Sequence, residues 1–182
     1  MDQLNNITTQ IDKNGTEFWF KNGQLHQDND KPAVIKLNGT KKWYQDGNLH
    51  RVNDLPAIIK SDGSQYWYNN GKCHRDNDQP AITFKYGTKF WYKKGRKHRD
   101  NDQPAVIYSD GSQNWYENGK LHRDNDQPAI ISSNGKREWY QNGQLHRDNY
   151  LPAVICDDGY LEWYIRGVKQ KDGEIDGSDI KG

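Results

Sequence analysis

The sequence is short of what a compact globular core requires. Only 32% of its 182 residues are apolar and the mean hydropathy is −1.24, which is poor material for one close-packed interior. No apolar run approaches the ~18 residues of a membrane span. The first residues, from Met1 to Asn6, do not read as a signal peptide. Two cysteines, Cys73 and Cys156, do not make a disulfide framework. Charge of one sign is also missing: 26 Lys and Arg against 25 Asp and Glu leave a net charge of +1. No net field therefore draws the chain to nucleic acid, and no nucleic-acid partner is expected. A soluble, intracellular placement is expected. Aromatic residues, by contrast, are plentiful at 12%, with 7 Trp and 11 Tyr, too many for a disordered chain.

Periodicity resolves the contradiction. All seven tryptophans, at 19, 43, 67, 91, 115, 139 and 163, stand 24 residues apart. The histidines, from His26 to His146, and the prolines, from Pro32 to Pro152, keep the same spacing, and Ala follows every Pro. The unit reads N/D-G-S/T-x-x-W-Y-x-N-G-x-L-H-R-D-N-D-x-P-A-V-I. It carries two hairpin signals, such as Asn38-Gly39 and Asp46-Gly47, because Asn-Gly and Asp-Gly accept positive φ at both turn positions. Short β-branched and aromatic segments lie between them, and no room remains for a helix.

The expected fold is all-β: an elongated single-layer antiparallel β-meander or solenoid of about seven 24-residue β-hairpin repeats. At ~4.8 Å per strand, seven rungs would make a rod of roughly 65–70 Å. Each rung shares a thin apolar seam with its neighbours, so a polar composition suffices. The array is placed at residues 8–167, after an N-terminal tail over 1–7 and before a degenerate cap and flexible tail over 168–182. Two-residue loops at both hairpins predict that Val34 faces Trp43, Ala33 faces Tyr44, Lys36 faces Lys41, Asp12 faces Glu17, and Leu49 lies beside Tyr44. Proline in the connecting segment predicts a kink or bulge, with Asn29, Asn53 and their equivalents closing a turn.

Segments such as Trp115-Tyr116-Glu117-Asn118-Gly119-Lys120-Leu121-His122 and Tyr108-Ser109-Asp110-Gly111 resemble the MORN repeat. The resemblance covers residues 8 to about 167. It is closest to a variant with His-Arg-Asp-Asn-Asp-x-Pro-Ala, of the type seen in giant DNA viruses and some bacterial and phage proteins. The ordinary unit is slightly shorter and has glycines after its His. The resemblance implies a scaffold, in some families dimeric and in some linked to phospholipid headgroups.

Several chemistries are excluded by spacing. Successive histidines ~10 Å apart cannot share a zinc ion, whose ligands crowd within about 4 Å of one another, so no metal and no cofactor are expected. His-Arg-Asp recurs at 74–76, 98–100, 122–124 and 146–148 without the glycine loop, strand lysine or Asp-Phe-Gly of a kinase. Cys73 fills a Leu slot, and no nucleophile elbow is present. No catalytic residue is assigned and the chain is not expected to be an enzyme. Trp43, Trp67, Trp91, Trp115 and Trp139 are read as a structural seam. His50, His74, His98, His122 and His146 are expected to pack against them, each with a ring N–H bonded to a loop carbonyl. Arg and Asp are expected to pair across rungs.

Positions that differ between copies are where function should sit. Lys85, Lys89, Lys93, Lys94, Arg96, Lys97 and Arg99 form the one basic concentration and break the repeat. The expected function is a non-enzymatic scaffold for protein–protein interaction, its partner unknown. The alternative is peripheral phosphoinositide headgroup binding, an anionic lipid at the 85–99 cluster; glycan binding through an aromatic ladder ranks third. A homodimer through edge strands or a face is the expected self-association.

Overall fold

The computed structural model describes residues 7–171, with no helix among them. Of the expected tails over 1–7 and 168–182, residues 1–6 and 172–182 lie outside the described residues. Among the described residues twenty-seven short strands run antiparallel, and the chain forms two compact units, Met1–Arg96 and Lys97–Gly182. In the first unit the ladder runs Ile7–Ile11, Glu17–Lys21, Val34–Ile35, Lys41–Lys42, Ile58–Ile59, Gln65–Tyr66, Ile82–Thr83, Lys89–Phe90, each strand beside the next. In the second it runs Val106–Ile107, Gln113–Asn114, Ile130–Ile131, Arg137–Glu138, Val154–Ile155, Leu161–Glu162. The β-meander expected from the repeat is the architecture observed.

Each repeat forks at its tryptophan. Lys41–Lys42 pairs with Ile58–Ile59 of the following repeat, whereas Tyr44–Gln45, two residues on, pairs with Asn48–Leu49 of its own hairpin. Trp43 is the branch point: its N–H donates to the Ala57 carbonyl at 2.8 Å, and its carbonyl accepts from the His50 N–H at 3.2 Å. The small side chain of Ala is required there, and Ala33, Ala57, Ala81, Ala105, Ala129 and Ala153 are all fully buried. The segment from His50 to Pro56 bridges the fork. It turns at Asn53-Asp54, with φ of 58° and 52°, as a mirror-image turn that Asn and Asp tolerate best. Tyr150 takes the Asp slot in the last turn and is held at φ 58°, a strained conformation for a bulky side chain.

The two hairpins of a repeat differ in type. Asp46-Gly47 is a two-residue loop with both φ values positive, and Tyr44 lies opposite Leu49, as the dipeptide predicts. The other hairpin corrects the expected register by one residue. Val34 faces Lys42 rather than Trp43, Lys41 faces Ile35 rather than Lys36, and Glu17 faces Ile11 rather than Asp12. The loop is Leu37-Asn38-Gly39, closed by Lys36 N–H to the Thr40 carbonyl and by Gly39 N–H to the Lys36 carbonyl, at 2.9 and 2.8 Å. Only Gly39 has positive φ, 84°, the signature of a type I turn with a glycine bulge. The reason lies in the Asn side chain: its Oδ1 accepts the Thr40 N–H at 3.0 Å and holds Asn38 in the right-handed region. Asp62 and Asp110 do the same for Ser64 and Ser112.

Candidate functional site

Recurring polar residues build a clamp at the forks of Trp43, Trp67, Trp115 and Trp139. The Arg51 guanidinium lies 3.8 Å from the centroid of the Trp43 ring. Its Nε and Nη2 donate to both carboxylate oxygens of Asp30 at 2.7 and 2.8 Å, and its Nη1 reaches the Pro56 carbonyl at 3.3 Å. Trp43 Nε1 donates to the Asp30 carbonyl at 3.0 Å. One Asp is thus held by its side chain and by its backbone, and it belongs to the repeat before. Arg75, Trp67 and Asp54 repeat the geometry in the first unit. Arg123, Trp115 and Asp102, and Arg147, Trp139 and Asp126, repeat it in the second. The fork between neighbouring strands brings Arg and Trp, eight positions apart in sequence, face to face. Hydrogen bonds from Arg hold the Asp30, Asp54, Asp102 and Asp126 carboxyls below the usual carboxylate range.

The histidines differ from expectation. The guanidinium, not the imidazole, covers the indole, because Arg alone is long and planar enough to stack and fork at once. The imidazole Nε2 instead meets an Asp two residues on: 3.1 Å for His74–Asp76, 2.8 Å for His98–Asp100, 3.1 Å for His122–Asp124 and 3.0 Å for His146–Asp148. Nδ1 accepts a backbone N–H from the following hairpin, as from Asn70 to His50 at 3.2 Å and from Asn142 to His122 at 3.2 Å. At His74 the Nδ1 also lies 3.3 Å from the Tyr92 carbonyl, the ring-to-carbonyl contact that the sequence led one to expect. His50 has Val52 where the others have Asp. Trp43, Trp67, Trp91, Trp115 and Trp139 are all buried.

The basic run is divided between the two units. Lys85, Lys89, Lys93, Lys94 and Arg96 belong to the first unit, and Lys97 and Arg99 to the second. Lys85 sits at a hairpin tip with its Nζ 5.5 Å above the Tyr86 ring. Lys89 and Lys93 are exposed, and Lys94 holds a turn position at φ 52°. Lys97 lies with its Nζ 4.8 Å over the Tyr116 ring. Arg99 occupies the clamp slot and donates to the Pro104 carbonyl at 3.4 Å.

Another basic group is drawn together by the sheet and was missed in the linear sequence. Lys42 lies opposite Val34 on one side and Ile58 on the other. Lys36 and Lys60 stand two residues beyond those partners, on the same face. Burial first, then the like charges of Lys36 and Lys60, pull the Lys42 ammonium below its ordinary range. Among the described residues neither Lys36 nor Lys42 forms an ion pair. The Lys42 slot holds Phe18, Tyr66 or Phe90 in the other first-unit copies. The signal was available only by aligning slots across strands rather than along the chain.

Burial raises the Cys73 thiol to about 12, so it is a packing group opposite Tyr68; Cys156 is half-buried. Among the described residues no three His, Cys, Asp or Glu side chains converge as a metal site. Shallow recesses recur between successive bridging loops, with volumes of about 190, 310 and 250 Å³. They sit at or below the low end for small-molecule sites. Among the described residues no helix is long and apolar enough to cross a membrane. No model of a known protein family matches the chain, and no curated protein matches it.

Proposed function

We propose that the chain is a non-enzymatic repeat scaffold of MORN-like type that recognises a protein partner through exposed, copy-specific rows of its side hairpins. The observation that carries this reading is a division of labour. Residues common to the copies are engaged in the clamps and imidazole bonds just described. Two adjacent slots on each side hairpin differ from copy to copy and stay exposed. In the first unit these are Gln45, Asn69 and Lys93, and Asn48, Lys72 and Arg96; in the second they are Glu117 and Gln141, and Lys120, Gln144 and Val168. A rigid frame with variable exposed rows is how solenoids build binding surfaces. The rings of Trp43, Trp67, Trp115 and Trp139 are capped by guanidinium, which disfavours sugar stacking on these four.

The test is cross-linking from native extract with the wild type and a variant changing Gln45, Asn48, Asn69 and Lys72 to Ala. A defined partner captured by the first and lost by the second, with an unchanged circular-dichroism spectrum, supports the reading. Partner capture that is unaffected by the variant overturns it.

The lysine triad favours a second reading, anionic headgroup recognition. Lys42 is half-buried and depressed, Lys36 and Lys60 stand exposed beside it with Lys60 raised by its bond to Tyr66, and an anion would relieve the repulsion on Lys42. Flotation with phosphoinositide vesicles at low and physiological salt should then be lost in the Lys36→Gln/Lys42→Gln/Lys60→Gln variant and retained when Lys93, Lys94 and Arg96 become Asn. Flotation absent at both salt concentrations removes this reading.

A further inference from the structure

The strand Ile7–Ile11 opens the first-unit ladder and pairs on one side only, with Glu17–Lys21. Among the described residues nothing pairs with its outer edge. Its five residues, Ile-Thr-Thr-Gln-Ile, contain no charge and no proline. It is also long for this fold, in which most strands have two residues. Natural edges are usually blunted by Lys, Pro, a bulge or short length, and this one has none of them. From Thr8 to Ile11 it is exposed, and Ile11 is 68% exposed.

The register states which groups point outward. Asp12 donates its N–H to the Thr16 carbonyl inside the hairpin. Hydrogen bonding alternates along an antiparallel strand, so Gln10 and Thr8 also bond inward, and Ile7, Thr9 and Ile11 direct N–H and C=O away from the sheet. Trp19, opposite Thr9, turns its own N–H away to the Ala33 carbonyl at 2.9 Å, as this alternation requires. The outward set 7, 9 and 11 is symmetric about Thr9. A second copy rotated about an axis through Thr9 would set Thr9 against Thr9 and Ile7 against Ile11, joining every outward group in about six bonds.

We propose that Ile7–Ile11 is a self-association edge and that its occupant is the same strand of a second copy, paired antiparallel about a two-fold axis at Thr9. The pairing matches donor to acceptor at each outward position and brings Ile7 beside the partner copy's Ile11 on one face. The interface is small, so the dimer is weak and concentration-dependent. This goes beyond the scaffold reading and stands independently of it.

Sedimentation velocity over a concentration series tests it, with the full chain, a Thr9→Lys variant and a Thr9→Asp variant. Thr9 is exposed and among the described residues its N–H has no partner, so both variants should keep the wild-type unfolding midpoint. At the two-fold axis each substitution opposes its own charge. The wild type should dimerise, each variant alone should weaken association by about tenfold or more, and an equimolar mixture of the two should associate again. A wild type that stays monomeric at its highest soluble concentration overturns the proposal. So does a Thr9→Lys variant that dimerises as the wild type does, or a mixture that stays dissociated.

Discussion

At the residue scale, the unit of stability is a three-part contact in which Arg stacks on Trp and forks onto the Asp of the repeat before. Arg75 is largely covered, with 16% of its side chain accessible, while Asp54 is 55% accessible, so the stack and the carbonyl bond weigh more than the ion pair itself. Arg75→Ala should cost about 2 kcal/mol in urea unfolding. Arg75→Lys should recover less than half of that, since a lysine cannot fork bidentately and stack together. The Asp partners set the response to acid. Their folded pKa values lie below the unfolded value of about 3.9, so their contribution is complete above that value and disappears as pH falls through the lowered folded pKa. The part of the thermal midpoint that these carboxylates supply should therefore be complete at about pH 5 and fall away below about pH 4. In Arg75→Ala that fall should be shallower. A second basic group, Lys36, Lys42 and Lys60, was not visible at this scale, because its members are neighbours only across strands.

At the scale of the element, one dipeptide serves two turns. Asp46-Gly47 places both residues at positive φ, whereas Asn38-Gly39 places only the glycine there, because the Asn38 carboxamide caps the next N–H but one. The choice moves the register by one residue and with it every side chain on the strand. The bulge glycines test this. Gly63 has φ +87° and open space where a Cβ would stand, so Gly63→Ala should cost only the backbone conformation, about 1 kcal/mol. Gly135 has φ +84°, but an added Cβ would meet Asp157 Oδ1 at 2.9 Å and its Cβ at 3.1 Å. Gly135→Ala should therefore lower the unfolding midpoint further than Gly63→Ala. Equal shifts would show that Asp157 moves aside freely.

For the whole molecule, clamps and ladder bonds join each repeat to its neighbours, so stability within a unit should be a sum over adjacent repeats. Removing residues 44–67, so that Tyr68 follows Trp43, deletes one period and leaves every slot with a partner of the same kind. The shortened chain should keep its β-type circular dichroism and unfold cooperatively at a lower temperature. Loss of structure would mean that copy-specific contacts, such as the Tyr66–Phe84–Phe90 ring cluster with centroids 5.8 and 5.6 Å apart, hold more of the first unit than the repeat does.

The period, the strand and turn positions, the all-β class and the need for a small residue after proline were legible in the linear chain. All depend on local backbone preference or on a spacing repeated seven times. The pairing of Arg with an Asp one repeat away was legible too, as a charge balance without a geometry. The one-residue register at the bulged hairpin, the fork at Trp43, and the guanidinium rather than imidazole on the indole were not. Each turns on which groups meet across strands, and Asn-Gly, His and Arg are locally compatible with more than one outcome. Only the hydrogen bonds between neighbouring repeats, made or lost together when the strands align, select among them.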